Sequence, residues 1–145
     1  MKAVIQRVKY AKLSVDQKLV SQIDVGLLVL LGIGQNDTQK DVEYFTDKIS
    51  KLRIFEDQNQ KMNLSVNDVN GKVLLVSNFT LYGQTKGTNR PSFSSAGLPD
   101  FAKPMFETFA KTLNTKVPTQ TGIFGADMQI EMCADGPVTI LMGED

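Results

Sequence analysis

The run Val25 to Ile33, VGLLVLLGI, constrains the fold more than any other part of this chain. It is continuously apolar and is ended by Gly32 and Gly34. A strand with one face in water alternates apolar and polar residues, and this run does not. It reads as a central strand buried on both faces, so the rest of the chain must cover each face.

The flanking segments can supply that cover. Lys2 to Asp16 reads as two strands or one long bent strand, with Ala11, Leu13 and Val15 alternating with Lys12, Ser14 and Asp16. A helix follows the central run. Asp37 or Thr38 can cap it, and Asp41 sits near its positive end. Val42, Phe45, Ile49 and Leu52 recur on one face of it. Ile54 and Phe55 then lead into the polar turn EDQNQ. Lys72 to Leu81 is the next strand. A second helix carries Phe101, Met105, Phe109 and Leu113 on one stripe. Pro104 lacks an amide proton and fits only a first turn, which places the helix start near Pro99 or Asp100. Gly122 to Cys133 and Val138 to Met142 read as the last two strands. The order strands, helix, strand, helix, strands predicts an α+β fold, a mainly antiparallel sheet or barrel with two helices, in one domain over residues 1–145.

Composition narrows the chemistry. The 145 residues can bury about 68–70% of their unfolded surface, so no metal or disulfide staple is required. Lys plus Arg and Asp plus Glu are 16 each, which argues against a strongly basic nucleic-acid-coating protein. Lys2, Arg7, Lys9, Lys12 and Lys18 face only Asp16 early in the chain, as a local basic face or a solvated surface. There is no His and one Cys, Cys133. That removes Ser-His-Asp and Cys-His catalysis and Cys/His zinc sites. It also removes any disulfide within the chain, so a reducing, cytoplasmic setting is expected. Cys133 reads most simply as a small core residue. No apolar stretch is long enough to span a membrane, and MKAVIQRVKY lacks the apolar run of a signal peptide. GIGQND lacks the Lys and the following Ser or Thr of a phosphate-binding loop, and no metal ligand set or cofactor motif is visible.

Three segments are too polar, or too rich in Gly and Pro, for plain core. Ser77, Asn78, Phe79 and Thr80 crowd a strand end, either as ligand contacts or as hydrogen-bonding partners of the following turn. Gly83 to Phe93 carries Lys86 and Arg90, either for phosphate contact or as a surface loop. Ala134 to Thr139 joins the last two strands. Its Asp-Gly favours a tight turn, and Gly136-Pro137 can hold a cis peptide.

Together these segments resemble one family. MKAVIQRVKYAKLSVD, GLLVLLGIG, KLRIFED, KMNLSV, SNFTLYG, NRPSF, FGADM and DGPVT are similar, in order and over essentially the whole chain, to segments of the D-aminoacyl-tRNA deacylases, the D-tyrosyl-tRNA deacylase family of bacteria and eukaryotes. The resemblance implies that family's fold. It implies hydrolysis of the ester joining a D-amino acid, or glycine, to the terminal adenosine of tRNA, which is proofreading in translation. It also implies a homodimer with its sites at the subunit interface and no cofactor. The family's Ser-Gln-x-Thr motif maps onto Ser77, Asn78, Phe79 and Thr80. Its Gly-cis-Pro motif maps onto Gly136 and Pro137, which would reach into the partner's site and exclude L-substrates sterically. Phe124 and Met128 would line the pocket for adenine or the aminoacyl group, with plain core as the alternative. Lys86 and Arg90 would meet tRNA phosphate. Asn78 departs from the family's usual Gln by one methylene, Ala134 replaces a usual Asn, and the Gly83–Phe93 loop is less basic than is common.

Hydrolysis needs an oxyanion stabiliser and an activated water or nucleophile. Without His, Thr80 could be a nucleophile only with some other base. The preferred reading is assistance by the tRNA's own 2′-hydroxyl, with backbone amides around Phe79 and Thr80 supplying orientation. Two further readings stay open. One is a catalytically weakened tRNA-binding relative, and the other an esterase for small D-aminoacyl compounds.

Overall fold

The computed structural model describes residues 1–143, so the last two residues of the 1–145 reading lie outside it. The elements are β1 (Lys2–Val15), β2 (Lys18–Ile23), β3 (Gly26–Gly32), α1 (Gln39–Lys51), β4 (Phe55–Glu56), β5 (Met62–Leu64), β6 (Lys72–Ser77), α2 (Pro99–Asn114), β7 (Thr119–Thr121) and β8 (Gln129–Met142). A 3₁₀ helix, Phe79–Tyr82, follows β6.

The apolar run is the central strand. Leu27, Val29 and Leu31 of β3 pack in one cluster with Val42, Phe45 and Ile49 of α1 and Phe106, Phe109 and Leu113 of α2. Leu28 packs on the opposite side with Val8, Ala11, Leu13 and Ile23. β6 repeats the arrangement, with Val73 and Leu75 toward the helices and Leu74 and Val76 toward the second cluster.

The sheet is mixed. β1 pairs antiparallel with β2, β3 and β8, whereas β3–β6 and β6–β7 are parallel. The parallel pairs follow from the connections, because each crossover contains one α-helix, α1 or α2. β1 is one long strand. Asp16 and Gln17, both at positive φ, turn it back into β2 in the manner of a two-residue hairpin. Ser21 and Gln22 of β2 hydrogen-bond with Thr121 and Gln120 of β7, which brings the ends of the sheet path together into a nearly closed barrel. Among the described residues no helix is long and apolar enough to cross a membrane.

Several local expectations are corrected. Thr38 is the N-cap of α1, and its N–H donates to the Asp41 carboxylate at 2.7 Å. Asp37 instead accepts from Gly34 N–H and from the amino terminus of Met1. The strand expected to run to Leu81 stops at Ser77, because the Asn78 side chain accepts from Thr80 N–H and bends the chain into the 3₁₀ helix. The buried stripe of α2 is Ala102, Phe106, Phe109 and Leu113, while Phe101 is exposed and Met105 half-buried. Pro104 lies inside α2 rather than in its first turn.

The strand expected over Gly122 to Cys133 begins only at Gln129 and runs on unbroken to Met142. Ala134 to Thr139 is therefore a bulge and not a tight turn, since both flanks pair with β1 in the same direction. Cys133 is half-buried rather than core. Arg7 does not belong to a basic face, because it is buried.

The shifted stripe sets a direct comparison. Phe109 is fully buried, so Phe109→Ala should lower unfolding free energy by about 3–5 kcal/mol. Phe101→Ala should cost less than about 1 kcal/mol. Urea denaturation of the two variants checks the assignment.

Candidate active site

Parallel strands present the loops that follow them at their carboxyl ends, a common place for ligand sites. Here Ser77 ends β6 in register with Leu31 of β3, and Asn78 N–H donates to the Leu31 carbonyl at 2.8 Å. The chain then enters the 3₁₀ helix. Close packing makes this possible: a Cβ on Gly32 would lie 3.1 Å from the Asn78 carbonyl oxygen and 3.2 Å from Leu81 Cβ. The Gly that ends the apolar run thus admits the turn that carries Phe79 and Thr80.

A cleft of about 690 Å³ opens over this strand end. Ser77, Asn78, Phe79 and Thr80 line it, as do Phe124 and Met128 from the segment before β8. These six sequence-predicted residues are therefore brought together. The sequence reading missed the opposite wall, which is formed by Leu98, Pro99 and Ala102 at the start of α2 and by Phe93. Phe93 sits edge-on to Phe79 with ring centroids 5.2 Å apart, and Phe124 lies 5.9 Å from Phe106. The NRPSF motif was the available signal for Phe93. Apolar residues before a helical Pro carry no comparable mark.

The polar end of the cleft is arranged around Asn78. Its Oδ1 accepts from Thr80 Oγ1 at 2.5 Å and from Thr80 N–H at 3.2 Å. This Asx-type cap suits Asn, whose short side chain bends back onto the second residue after it. The Thr80 hydroxyl donates its proton to a carboxamide, which is not a base, and keeps its lone pairs as acceptors. Phe79 N–H heads the 3₁₀ helix, where no intrahelical acceptor is available. Asp127 is the one carboxylate among the lining residues. The carboxyls held below their ordinary range lie elsewhere. Lys51 lowers Asp47 chiefly through its hydrogen bond, and Asn63, followed by the Lys61 amide, lowers Asp57. Among the described residues no group of His, Cys, Asp and Glu side chains could hold a metal ion.

Gly136, Pro137, Lys86 and Arg90 do not line the cleft of this chain. Lys86 and Arg90 are exposed on the loop closed by the Gln84–Ser92 bridge. Gly136 and Pro137 are exposed on the bulge of β8, and the bond between them is cis. Gly136 has φ +123°, a conformation that L side chains rarely adopt, and a Cβ there would lie 2.9 Å from Val138 N.

The bulge rests on Arg7, which the sequence reading did not single out for this role. Arg7 is 5% exposed. Its Nη1 donates to the Ile54 carbonyl at 2.8 Å and its Nε to the Asp135 carbonyl at 3.2 Å. The carboxylates of Asp135 and Glu56 lie 3.5 and 3.9 Å away. A signal was present: Arg7 continues the alternation of Ala3 and Ile5, both core residues. A cation in that register must be answered by buried acceptors.

Comparison with known proteins adds a family. The family model described as D-Tyr-tRNA(Tyr) deacylase matches residues 4–143. A D-aminoacyl-tRNA deacylase of Fusobacterium nucleatum is 53% identical over 98% of this chain and 95% of its own length. One of Thermosipho africanus is 52% identical over 98% and 96%. Among solved structures, one titled c-Myc DNA Unwinding Element Binding Protein is 40% identical, with a TM-score of 0.94 over 100% of this chain and 99% of the other. A probable eukaryotic D-amino acid tRNA deacylase shares the fold at a TM-score of 0.83 and 15% identity, covering 97% of each chain.

Removing the guanidinium should unsettle the bulge and the Ile54 segment together. Arg7→Met is expected to cost about 2–3 kcal/mol, because the buried Ile54 carbonyl loses its donor. Glu56→Gln, at a residue more than half exposed and 3.9 Å away, should change stability by less than about 0.5 kcal/mol. Denaturation midpoints of both variants distinguish a hydrogen-bonded clamp from a simple ion pair.

Proposed function

The chain belongs to the D-Tyr-tRNA(Tyr) deacylase family, and on that premise we propose that it hydrolyses the ester bond of D-aminoacyl-tRNA in the cleft over Ser77 to Thr80. Water adds to the acyl carbon, the bond to the ribose oxygen breaks, and that oxygen leaves with a proton. The products are a free D-amino acid and tRNA. Glycyl-tRNA is a further substrate in this reading, since glycine presents no side chain to exclude. The work is proofreading in translation, and the proposed compartment is the cytoplasm. No metal or cofactor enters the proposed chemistry.

The observation that carries the mechanism is the pairing of Thr80 with Asn78. A hydroxyl whose proton goes to a carboxamide has no base to activate it, which favours positioning over a covalent threonyl intermediate. Thr80 Oγ1 and Asn78 hold the acylated ribose, and Phe79 N–H faces the developing oxyanion. The 2′-hydroxyl of the terminal ribose assists the attack. Such orientation contributes several kcal/mol to barrier lowering without an acidic or basic side chain. Phe124 and Met128 offer an apolar surface to the adenine or the aminoacyl group, and Lys86 and Arg90 meet phosphate farther along the strand.

The same reading needs a second copy of the chain. Gly136 and Pro137 are exposed and stand away from the cleft of their own chain. In the proposed homodimer they enter the partner's cleft and fill the space that an L-side chain would occupy. Selection is then by exclusion, and D-side chains of many shapes point elsewhere.

Three experiments follow. Purified protein should hydrolyse matched D-aminoacyl-tRNA and spare the L-ester. Hydrolysis of neither by a folded protein would favour a tRNA-binding relative, and equal activity on a free D-amino acid ester would favour a small-ester hydrolase. Thr80→Ala should lower the single-turnover rate by about 10- to 100-fold and leave measurable activity. Complete loss with tRNA binding retained would restore Thr80 as the nucleophile. Gly136→Ala protein should gain L-ester hydrolysis, and mixing it with excess Thr80→Ala protein should bring the D/L ratio back toward the wild-type value if cleft and loop come from different copies.

A further inference from the structure

The bulge of β8 has a second support. Between the pairs Gln6–Thr139 and Val8–Ala134, four residues of β8, Asp135 to Val138, stand opposite Arg7 alone. Arg7 Nε holds the carbonyl of Asp135, just before Gly136. Gln6 Nε2 donates to the carbonyl of Val138, just after Pro137, at 3.2 Å. The Gln6 carboxamide is itself oriented, since Thr139 Oγ1 donates to its Oε1 at 2.7 Å. Val138 oxygen can only accept, so the nitrogen of the carboxamide must face it. Neighbouring residues of a strand point to opposite faces. The two carbonyls that flank Gly136 and Pro137 are thus gripped from the two sides of β1.

The supports differ in kind. Arg7 is buried and also serves the Ile54 segment. Gln6 is half-buried, and its side chain hydrogen-bonds with Val138 and Thr139, both on the C-terminal flank of the bulge. Its carboxamide can be changed without disturbing the rest of the core.

We propose that Gln6 is a positioning residue for stereochemical selection: with Thr139 it fixes the C-terminal flank of the Gly136–Pro137 loop, so that rejection of L-esters depends on it while hydrolysis of D-esters does not. The inference rests on the reading of that loop as the element that excludes L-substrates.

The test is the ratio of kcat/KM for D- and L-aminoacyl-tRNA in the wild-type protein, Gln6→Met, Gln6→Glu and Thr139→Val. Gln6→Met keeps the length and removes both hydrogen bonds. Gln6→Glu, ionised, keeps the acceptor for Thr139 and loses the donor to Val138. Both should lower the D/L ratio by about tenfold, the worth of a lost hydrogen bond, through faster L-ester hydrolysis. The D-ester kcat should stay within about twofold. Thr139→Val, at an exposed position, should move the ratio the same way and less. Partial unfolding cannot produce a gain in L-ester hydrolysis, so this readout separates positioning from a structural role. An unchanged ratio in Gln6→Met and Gln6→Glu, with discrimination intact in the wild-type protein, would overturn the assignment of Gln6. Absence of discrimination in the wild-type protein would overturn the selection reading itself, and this inference with it.

Discussion

Burial of β3 on both faces is the constraint from which the rest of the architecture follows. A strand with no polar residue cannot sit at a water-facing edge, so it takes a hydrogen-bonded neighbour on each side and a layer over each face. β1 supplies one edge and β6 the other. The helices cover Leu27, Val29 and Leu31, and the residues of β1 and β2 around Leu13 and Ile23 cover Leu28. Because the β3–β6 pair is parallel, both strands end on the same side of the sheet. The polar residues that follow β6 open a cleft there instead of folding back into a hairpin.

Arg7 is the second organising group, and it works against the ordinary tendency of that position. It lies where Ala3 and Ile5 predict an apolar residue. Burying a guanidinium is costly unless its donors are met. Here the acceptors are two backbone carbonyls, from the Ile54 segment and from the bulge of β8. Partly exposed carboxylates alone would leave the bulge free to move with the side chains. Carbonyls tie the guanidinium to the path of the chain itself, so the geometry of the bulge is built into the core.

The layers of the fold were legible because they depend on pattern. The apolar run of β3, the alternation in β1 and the single face of α1 each fix an element and its buried side without reference to partners. The errors fall where partners decide. Ala134 to Thr139 reads as a turn from its Asp-Gly pair, but a 14-residue β1 pairs with both flanks and converts it to a bulge. In α2, Phe109 and Leu113 are buried as expected, but the first half of the stripe is Ala102 and Phe106 in place of Phe101 and Met105, because both pairs fit a helical period and only contact with α1 and the sheet chooses between them. For the site, the SNFT segment and the IFGADM segment announced themselves by residue type. Arg7, Gln6 and the start of α2 did not. Their roles come from partners distant in sequence: Arg7 meets Ile54 and Asp135, Gln6 meets Val138, and the start of α2 becomes a wall only when the fold brings the SNFT and IFGADM segments beside it.

A chain without His has to obtain selectivity and rate from geometry, and the sheet shows how two distant segments can share one geometry. The cleft hangs on the carboxyl ends of β3 and β6, and the bulge hangs on β1 and β8. β1 and β3 are paired residue by residue from Lys2–Gly32 to Val8–Gly26. A slip of one residue in that ladder would turn every side chain of β1 to the opposite face, taking Arg7 out of the core and Gln6 into it. Both clusters oppose such a slip, because each is built of buried apolar side chains and each holds residues of β1 and β3. The hydrophobic pattern that builds the core therefore also fixes the register in which Gln6 and Arg7 meet the two carbonyls beside Gly136 and Pro137. In the proposed dimer, the distance from one copy's loop to the other copy's cleft would be set by the same ladder in both chains. Precision at the reacting atoms would then need no strongly polar catalytic group, only a sheet that admits one register.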